Sequence, residues 1–382
     1  MKINKNNVII FVFSCINIFF AIPFAILNIH LQKNKKSYLL LSILIAGLGW
    51  FFTPSNDDYD IARYYNSFFN EQKLKEFIAY HRDFYVEYLI RFLKYLHLNF
   101  RFLAFISAFI TYYFVFKCLE KINKKSYLTA FYLIYIILAI PIIGYTGIRF
   151  APAVSVAIYG LIIRKNLIWL ILASCFHSGC LVIIIVYFVA KIIKVDFGKK
   201  SRLLFIIVFF TEKFLTIENW LQIIKFINSL NLVYITPNYI LGKWGIGYLN
   251  SRETLISKIV NITIIELGML ILIFYCFFIY YKRKDNFILF FILLIVLFKK
   301  FFIFYERYIY ILLTYMTLKE IIYFSYKKTK KRIDSNLIVL IMILILNIIK
   351  LLYDIKRYYP SFILSYFEIY KINFISIFLN IF

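Results

Sequence analysis

The chain has 382 residues, 63% hydrophobic and 21% aromatic, with 45 Lys and Arg against 19 Asp and Glu, a net charge of +26. An ordinary soluble domain is about 45–50% apolar even with glycine counted, and a globule of this size cannot hide so much apolar surface, so a soluble single-core fold is excluded. A secreted disulfide scaffold is excluded too, because Cys15, Cys118, Cys175, Cys180 and Cys276 are sparse and lie in or beside apolar runs, where cysteine serves as a small buried hydrophobe.

The basic residues come in short clusters between long apolar runs, the pattern of a multi-pass membrane protein and not of a nucleic-acid binder. Residues 8–29 form an apolar run about twice the length of a signal-peptide core, with no small-residue cleavage site, and predict an uncleaved first helix. Further runs at 38–52, 100–119, 127–143, 150–163, 203–210, 259–281, 287–298, 307–326 and 335–353 predict the remaining spans. Several fall short of the roughly 20 residues of a full crossing and extend through flanking Tyr, Trp or Lys. The expected fold is all-α and polytopic, one membrane domain over 1–382 with about 10–12 transmembrane helices, and no linker or internal repeat. The tail at 361–382 is apolar and aromatic, and fits an interfacial helix or a last span equally well.

Six basic clusters are expected to face the cytoplasm: 33–36, 121–125, 164–165, 191–202, 282–284 and 327–332. Simple alternation satisfies most of them, with Lys2 and Lys5 left outside. The stretch 167–190 does not fit, because one straight helix there puts the clusters at 164–165 and 191–202 on opposite sides. A turn back at Phe176-His177-Ser178-Gly179 removes the conflict, and such a break at membrane depth needs to be buried in protein or to line a cavity. Two long loops then lie outside. Residues 53–99 carry seven acids and six bases, and 84–98 reads as an amphipathic helix; residues 211–258 carry five bases and three acids, with Trp220, Trp244 and a Gly-rich patch at 242–247.

Charges in or beside spans are the first functional candidates. Asp57, Asp58 and Asp60, with Arg63 one turn after Asp60, form a polar site or an acidic helix cap after the second span. Glu87, Arg91 and Lys94 share one helical face, on which Glu87 is an acid–base candidate. Arg149 follows Pro141, Gly144 and Gly147 and enters an apolar helix; its guanidinium fork suits a phosphate. His177 stands at the proposed apex. Lys299, Lys300 and Arg307 sit outside against the insertion tendency, with Glu306 able to neutralise one of them, so a bound pyrophosphate or anionic lipid headgroup is expected to compensate the rest. Arg149, His177 and the Lys300/Arg307 cluster are expected to converge on one face. No His, Cys and acid set has metal-ligand spacing, so no metal or other cofactor is expected.

These residues carry a resemblance. An Asp-x-x-x-x-Tyr loop after the second span, Glu87 ahead of an apolar stretch, Gly147-Ile148-Arg149 ending at Ala153, Ala173 to Phe176-His177-Ser178, and Glu306-Arg307-Tyr308 occur in the order and spacing of the EpsG family, which is similar in role to the Wzy polymerases of O-antigen and capsule synthesis. The likeness covers about residues 35–330. Phe150 stands where the family usually has Gln, and Gly179-Cys180 follows where a small apolar residue is common. The resemblance implies a glycosyltransferase-type polymerase on the outer face of the bacterial inner membrane that joins undecaprenyl-pyrophosphate-linked oligosaccharide repeats. A flippase and a chain-length regulator are the expected partners, with membrane lipid and without nucleic acid. It implies that Arg149 and Arg307, supported by Lys300, stabilise the departing pyrophosphate, and that His177, or else Glu87 or Asp60, takes the proton of the attacking hydroxyl. A lipid-linked saccharide flippase, a polysaccharide ligase, an O-acyltransferase and a structural or sensory protein are the alternatives.

Overall fold

A computed structural model describes residues 5–32, 35–52, 60–69, 84–119, 147–193, 196–229, 255–326, 337–350 and 372–381, with isolated residues between them. Among the described residues every regular element is a helix. The run at 127–143, Asp57 and Asp58, the patch at 242–247, and the basic clusters at 121–125 and 327–332 lie outside them; Asp60 and Arg63 are placed on a helix, without their side chains. The chain divides into two compact units. The first is Met1–Ile183, Ile321–Lys328 and Leu351–Phe382, and the second is Ile184–Glu320 and Thr329–Lys350.

The first unit begins with a correction. The run at 8–29 forms two helices, α1 (Lys5–Ile16) and α2 (Ile18–Gln32), broken at Asn17. The Asn17 side chain accepts the Phe19 N–H at 2.9 Å and so caps α2, offering the backbone a turn in place of a continuing helix. The arms fold back on each other. Phe13 stacks on Phe24 at 4.7 Å, and the Asn28 amide donates to Asn7 at 3.0 Å and to Ser37 at 2.9 Å. The 12-residue first arm rises about 18 Å, little more than half a bilayer core. Lys5 therefore lies at the same end of this hairpin as the start of the next helix, not across from it.

That helix, α3 (Lys35–Trp50), meets the hairpin tip at Gly47. A Cβ there lies 2.9 Å from the Ile18 Cδ1 and 3.0 Å from the Phe374 ring, so a larger residue requires these side chains to shift. Phe374–Leu379 is a six-residue helix capped by Asn373, far shorter than a span. The segment is tied down at both ends: Ile18 N–H donates to the Ile372 carbonyl at 2.9 Å, and Asn99 N–H to the Ile381 carbonyl at 2.8 Å.

Helix α4 (Asp60–Phe69) precedes α5 (Phe84–Tyr95), the expected amphipathic helix. Val86, Leu89, Ile90 and Leu93 face inward. Phe84, Tyr88, Phe92 and Tyr95 form an exposed aromatic sector. His97 ends α5 in the left-handed conformation, and Leu98 N–H closes back on the Leu93 carbonyl at 2.9 Å. Helix α6 (Phe102–Leu119) and the helical stretch Ile262–Arg283 are each long and apolar enough to cross a membrane.

Helix α7 (Phe150–Tyr159) is buried from Ala151 to Tyr159 without interruption. Small side chains at Ala151, Ala153, Ser155 and Ala157 let its neighbours approach closely. A π-helical turn, Gly160–Arg164, and Lys165 in the left-handed conformation reverse the chain into α8 (Leu167–Phe176), capped by Asn166. A Cβ at Gly160 lies 2.6 Å from the Cβ of Trp169, an atom with no freedom to yield. Gly160→Val is therefore expected to destabilise the hairpin by about 1–3 kcal/mol or more, read as a lowered unfolding temperature in detergent. A variant unfolding at the parental temperature contradicts this packing. Cys175 on α8 is exposed and Cys15 half-buried, so only Cys118, Cys180 and Cys276 are buried hydrophobes of the kind expected.

In the second unit, α9 (Leu181–Ile192), most of which belongs here, leads to α10 (Lys200–Phe214), α11 (Ile217–Ser229) and α12 (Leu255–Phe274). The last continues through a π-helical turn, Tyr275–Ile279, to Arg283. Then come α13 (Asn286–Leu297), α14 (Phe302–Tyr326) and α15 (Leu337–Lys350). A π turn shifts the helix hydrogen bonds and leaves carbonyls to satisfy. Arg202 donates to the Phe277 carbonyl at 2.7 and 3.1 Å, and Ser201 to that of Cys276 at 3.3 Å. Arg283 pairs with Glu320 at 2.6 Å, Lys284 with Asp196, and Lys319 with Asp285. Lys284 holds the exposed Asp196 carboxyl below the usual carboxylate range, helped by the Gly198 amide. These bases thus fasten helix ends. Within residues 211–229, α10 ends and α11 follows, and Trp220, 2% exposed, packs with Ile224, Phe298 and Phe301.

Candidate active site

The first unit gathers a site at one end of the α7–α8 hairpin. Gly147, Ile148 and Arg149 lead into α7, whose first turn is set by the Gly147 carbonyl accepting the Ala151 N–H at 3.0 Å. Pro152 falls in that turn, where a missing N–H leaves no helix bond unmade. Arg149 is the N-cap residue and is only 7% exposed. Its guanidinium lies 5.6 Å over the ring of Tyr64, itself fully buried on α4. An aromatic face offsets part of the cost of burying a cation and holds the guanidinium plane in one orientation.

The next residue, Phe150, connects this arginine to the break after α8. Its ring meets the His177 imidazole edge to face at 5.4 Å. The helix stops at Phe176 because His177 is extended, with φ −153° and ψ 119°. The break is shaped by its own hydrogen bonds. The Gly179 N–H donates to His177 Nδ1 at 3.0 Å and the Cys180 N–H to the His177 carbonyl at 2.9 Å, which starts the turn Ser178–Cys180. Tyr85 of α5 packs on Phe176 at 4.3 Å, and its hydroxyl is 3.0 Å from that of Ser107 on α6. Helices α4, α5, α6, α7 and α8 therefore all contribute to the site.

Of the expected residues, Arg149 and His177 are linked, through the Phe150 ring that follows the arginine. Glu87 is not. It stands two positions from Tyr85, and residues so spaced on a helix point to nearly opposite sides, so while Tyr85 meets Phe176 the partly covered Glu87 carboxylate pairs with Arg91 at 2.9 Å. Tyr64 lies beneath the arginine. Tyr65 packs against Phe100 at 4.4 Å, and burial pushes its hydroxyl up from its ordinary range against the pull of Arg101. Tyr85 and Ser107 were missed by sequence reasoning, since neither differs from the surrounding aromatic and small residues. Phe150 carried a signal as a departure from the family's glutamine.

The second unit holds Lys299, Lys300, Glu306 and Arg307, and here an expectation is corrected. Lys300 Nζ donates to the carbonyls of Glu212 at 2.8 Å and Leu215 at 3.1 Å and lies 3.7 Å from the Glu212 carboxylate. It caps the C-terminal end of α10, where unpaired carbonyls and the helix dipole favour a cation. Lys299 pairs with Glu266 at 3.6 Å, and Glu306 with Lys350 at 2.7 Å. Both lysines have partners within the fold, so their charge does not by itself require a bound anion. Arg307 is half-buried on α14.

A family model described as the EpsG family matches residues 36–374. No curated protein and no solved structure matches the chain.

Proposed function

The chain belongs to the EpsG family of membrane polysaccharide polymerases, and on that premise we propose that it joins lipid-pyrophosphate-linked oligosaccharide repeats into a polymer on the outer face of the bacterial inner membrane. The bond from the anomeric carbon to the pyrophosphate oxygen breaks, and its electron pair leaves with the lipid pyrophosphate. A bond to a sugar hydroxyl of the next repeat forms, and that hydroxyl gives up its proton. The observation that carries the reading is Arg149, a buried cation oriented on Tyr64 beside the His177 break. An arginine fixed in advance stabilises charge that develops on a departing phosphate without reorganising at the moment of reaction. Asp60, one turn before Tyr64 in the sequence of α4, is the carboxylate assigned to the hydroxyl proton. Asp57, Asp58 and Arg63 are assigned to binding of the acceptor sugars. The exposed apolar side chains of α1, α2, α8 and α10, such as Phe20, Ile168 and Ile207, fit contact with lipid. A flippase supplies the substrate and a chain-length regulator acts on the product.

The experiment is the glycan profile of a deletion strain. Single repeats on lipid without polymer support the polymerase. Repeats retained on the inner side point to a flippase, and unattached polymer to a ligase. Topology is tested in a cysteine-free background. Cysteines at Lys5 and Lys35 are expected to react from the cytoplasmic side, and one at Ser178 from outside. Labelling of positions 5 and 35 from opposite sides contradicts the N-terminal hairpin, and labelling of 178 from the cytoplasm contradicts the turn back after α8.

A further inference from the structure

We infer that His177 serves its site as a hydrogen-bond donor through Nε2–H, and not as a base; the inference rests on the reading of this site as the polymerase centre. A backbone N–H can only donate, so the 3.0 Å contact from Gly179 fixes His177 Nδ1 as an acceptor. A ring nitrogen that accepts carries no proton. The neutral imidazole has one proton for its two nitrogens, and here it resides on Nε2. The lone pair that a base needs is the one already engaged in the turn.

The surroundings keep it so. The Nδ1 bond opens the turn Ser178–Cys180, which the Cys180 N–H completes on the His177 carbonyl. Moving the proton to Nδ1, so that Nε2 could accept, sets two N–H groups against each other and breaks that turn. The Phe150 ring at 5.4 Å and the Tyr85–Phe176 contact at 4.3 Å hold the ring and the preceding residue in place. The assigned role follows from the neighbourhood: His177 packs on Phe150, the residue after Arg149, so an Nε2–H donor there is assigned to an anionic phosphate oxygen together with the arginine, while proton removal from the acceptor hydroxyl falls to a carboxylate.

Two experiments separate this inference from the reading beneath it. The first needs no activity. In protein labelled with 15N at histidine, with His30, His81 and His97 replaced by glutamine, His177 is expected to show a protonated Nε2 and a bare, hydrogen-bonded Nδ1 at neutral pH. A proton on Nδ1 overturns the inference. The second uses variants that reach the membrane at parental levels and elute as the parent does in gel filtration. His177→Ala is expected to reduce polymerisation by ~10²–10³-fold, the effect of losing one preorganised donor. His177→Gln, which keeps a donor near the Nε2 position, is expected to recover at least about tenfold over alanine, with the parental pH profile. A glutamine variant no better than alanine, with an acid-side fall in parental activity that the variant lacks, assigns the base to His177 and overturns the inference. An alanine variant with parental polymer overturns the placement of the centre itself.

Discussion

Arg149→Ala is expected to leave cells with lipid-linked single repeats and a polymerisation rate lowered by ~10²–10³-fold, the scale of removing one preorganised charge-stabilising group. Arg149→Lys is expected to recover little. A lysine ammonium is a point charge without a planar fork, and it loses both the guanidinium contact with the Tyr64 ring and bidentate contact with phosphate. Two controls separate chemistry from folding. The first is the amount of each variant in the membrane. The second is Tyr64→Leu, which removes the aromatic face but not the cation and is expected to fall between the parent and Arg149→Ala. The glycan ladder of the complemented deletion strain is the readout. A ladder of parental length from Arg149→Ala removes this arginine from the mechanism.

Trp220→Ala is expected to destabilise the second unit by about 3–5 kcal/mol, the range for truncating a large buried aromatic. The indole packs on Phe298 at 4.5 Å and edge-on against Phe301 at 5.2 Å, with Leu215, Leu221, Leu297 and Phe304 around the cluster. Lys300 lies between those two phenylalanines in sequence and caps α10, so the cavity also loosens the clamp between α10 and the turn before α14. Trp220→Phe keeps part of the packing and is expected to lose less. Thermal unfolding in detergent, followed by the fraction that stays monodisperse, measures both. An alanine variant within about 0.5 kcal/mol of the parent, the range of an uninvolved surface site, contradicts this core.

Much of the helical frame was legible because apolar runs in a chain this hydrophobic have few other solutions. The run at 38–52 is α3, 287–298 is α13 and 150–163 is α7 with its π turn, each within a few residues. The break at His177 was legible from charge, since the positions of Arg164, Lys165 and the 191–202 cluster conflict across an unbroken helix. The break at Asn17 was not. Its signal is one asparagine in an apolar run, and what decides it is tertiary: the Asn7, Asn28 and Ser37 side chains meeting at the far end, and the Ile372 carbonyl at the tip. The site divides the same way. Arginine and histidine are costly in apolar runs and stand out as residue types, whereas Tyr64, Tyr85 and Phe150 are invisible among so many aromatics until the helices are packed. The lysines at 299 and 300 misled because their partners, Glu266 and Glu212, are distant in sequence.

The tie between Ile18 and Ile372 has a consequence for the order of assembly. The two residues are separated by 372 − 18 = 354 positions, and the hydrogen bond joins the tip of the α1–α2 hairpin to a segment made long afterwards. At a synthesis rate of roughly 5–20 residues per second the gap is about 20–70 s. During that interval the tip and Gly47 lack the covering helix Phe374–Leu379, while α2 already packs on α3. The first unit is thus completed only after the second has been synthesised, and its hairpin tip stays uncovered throughout the delay.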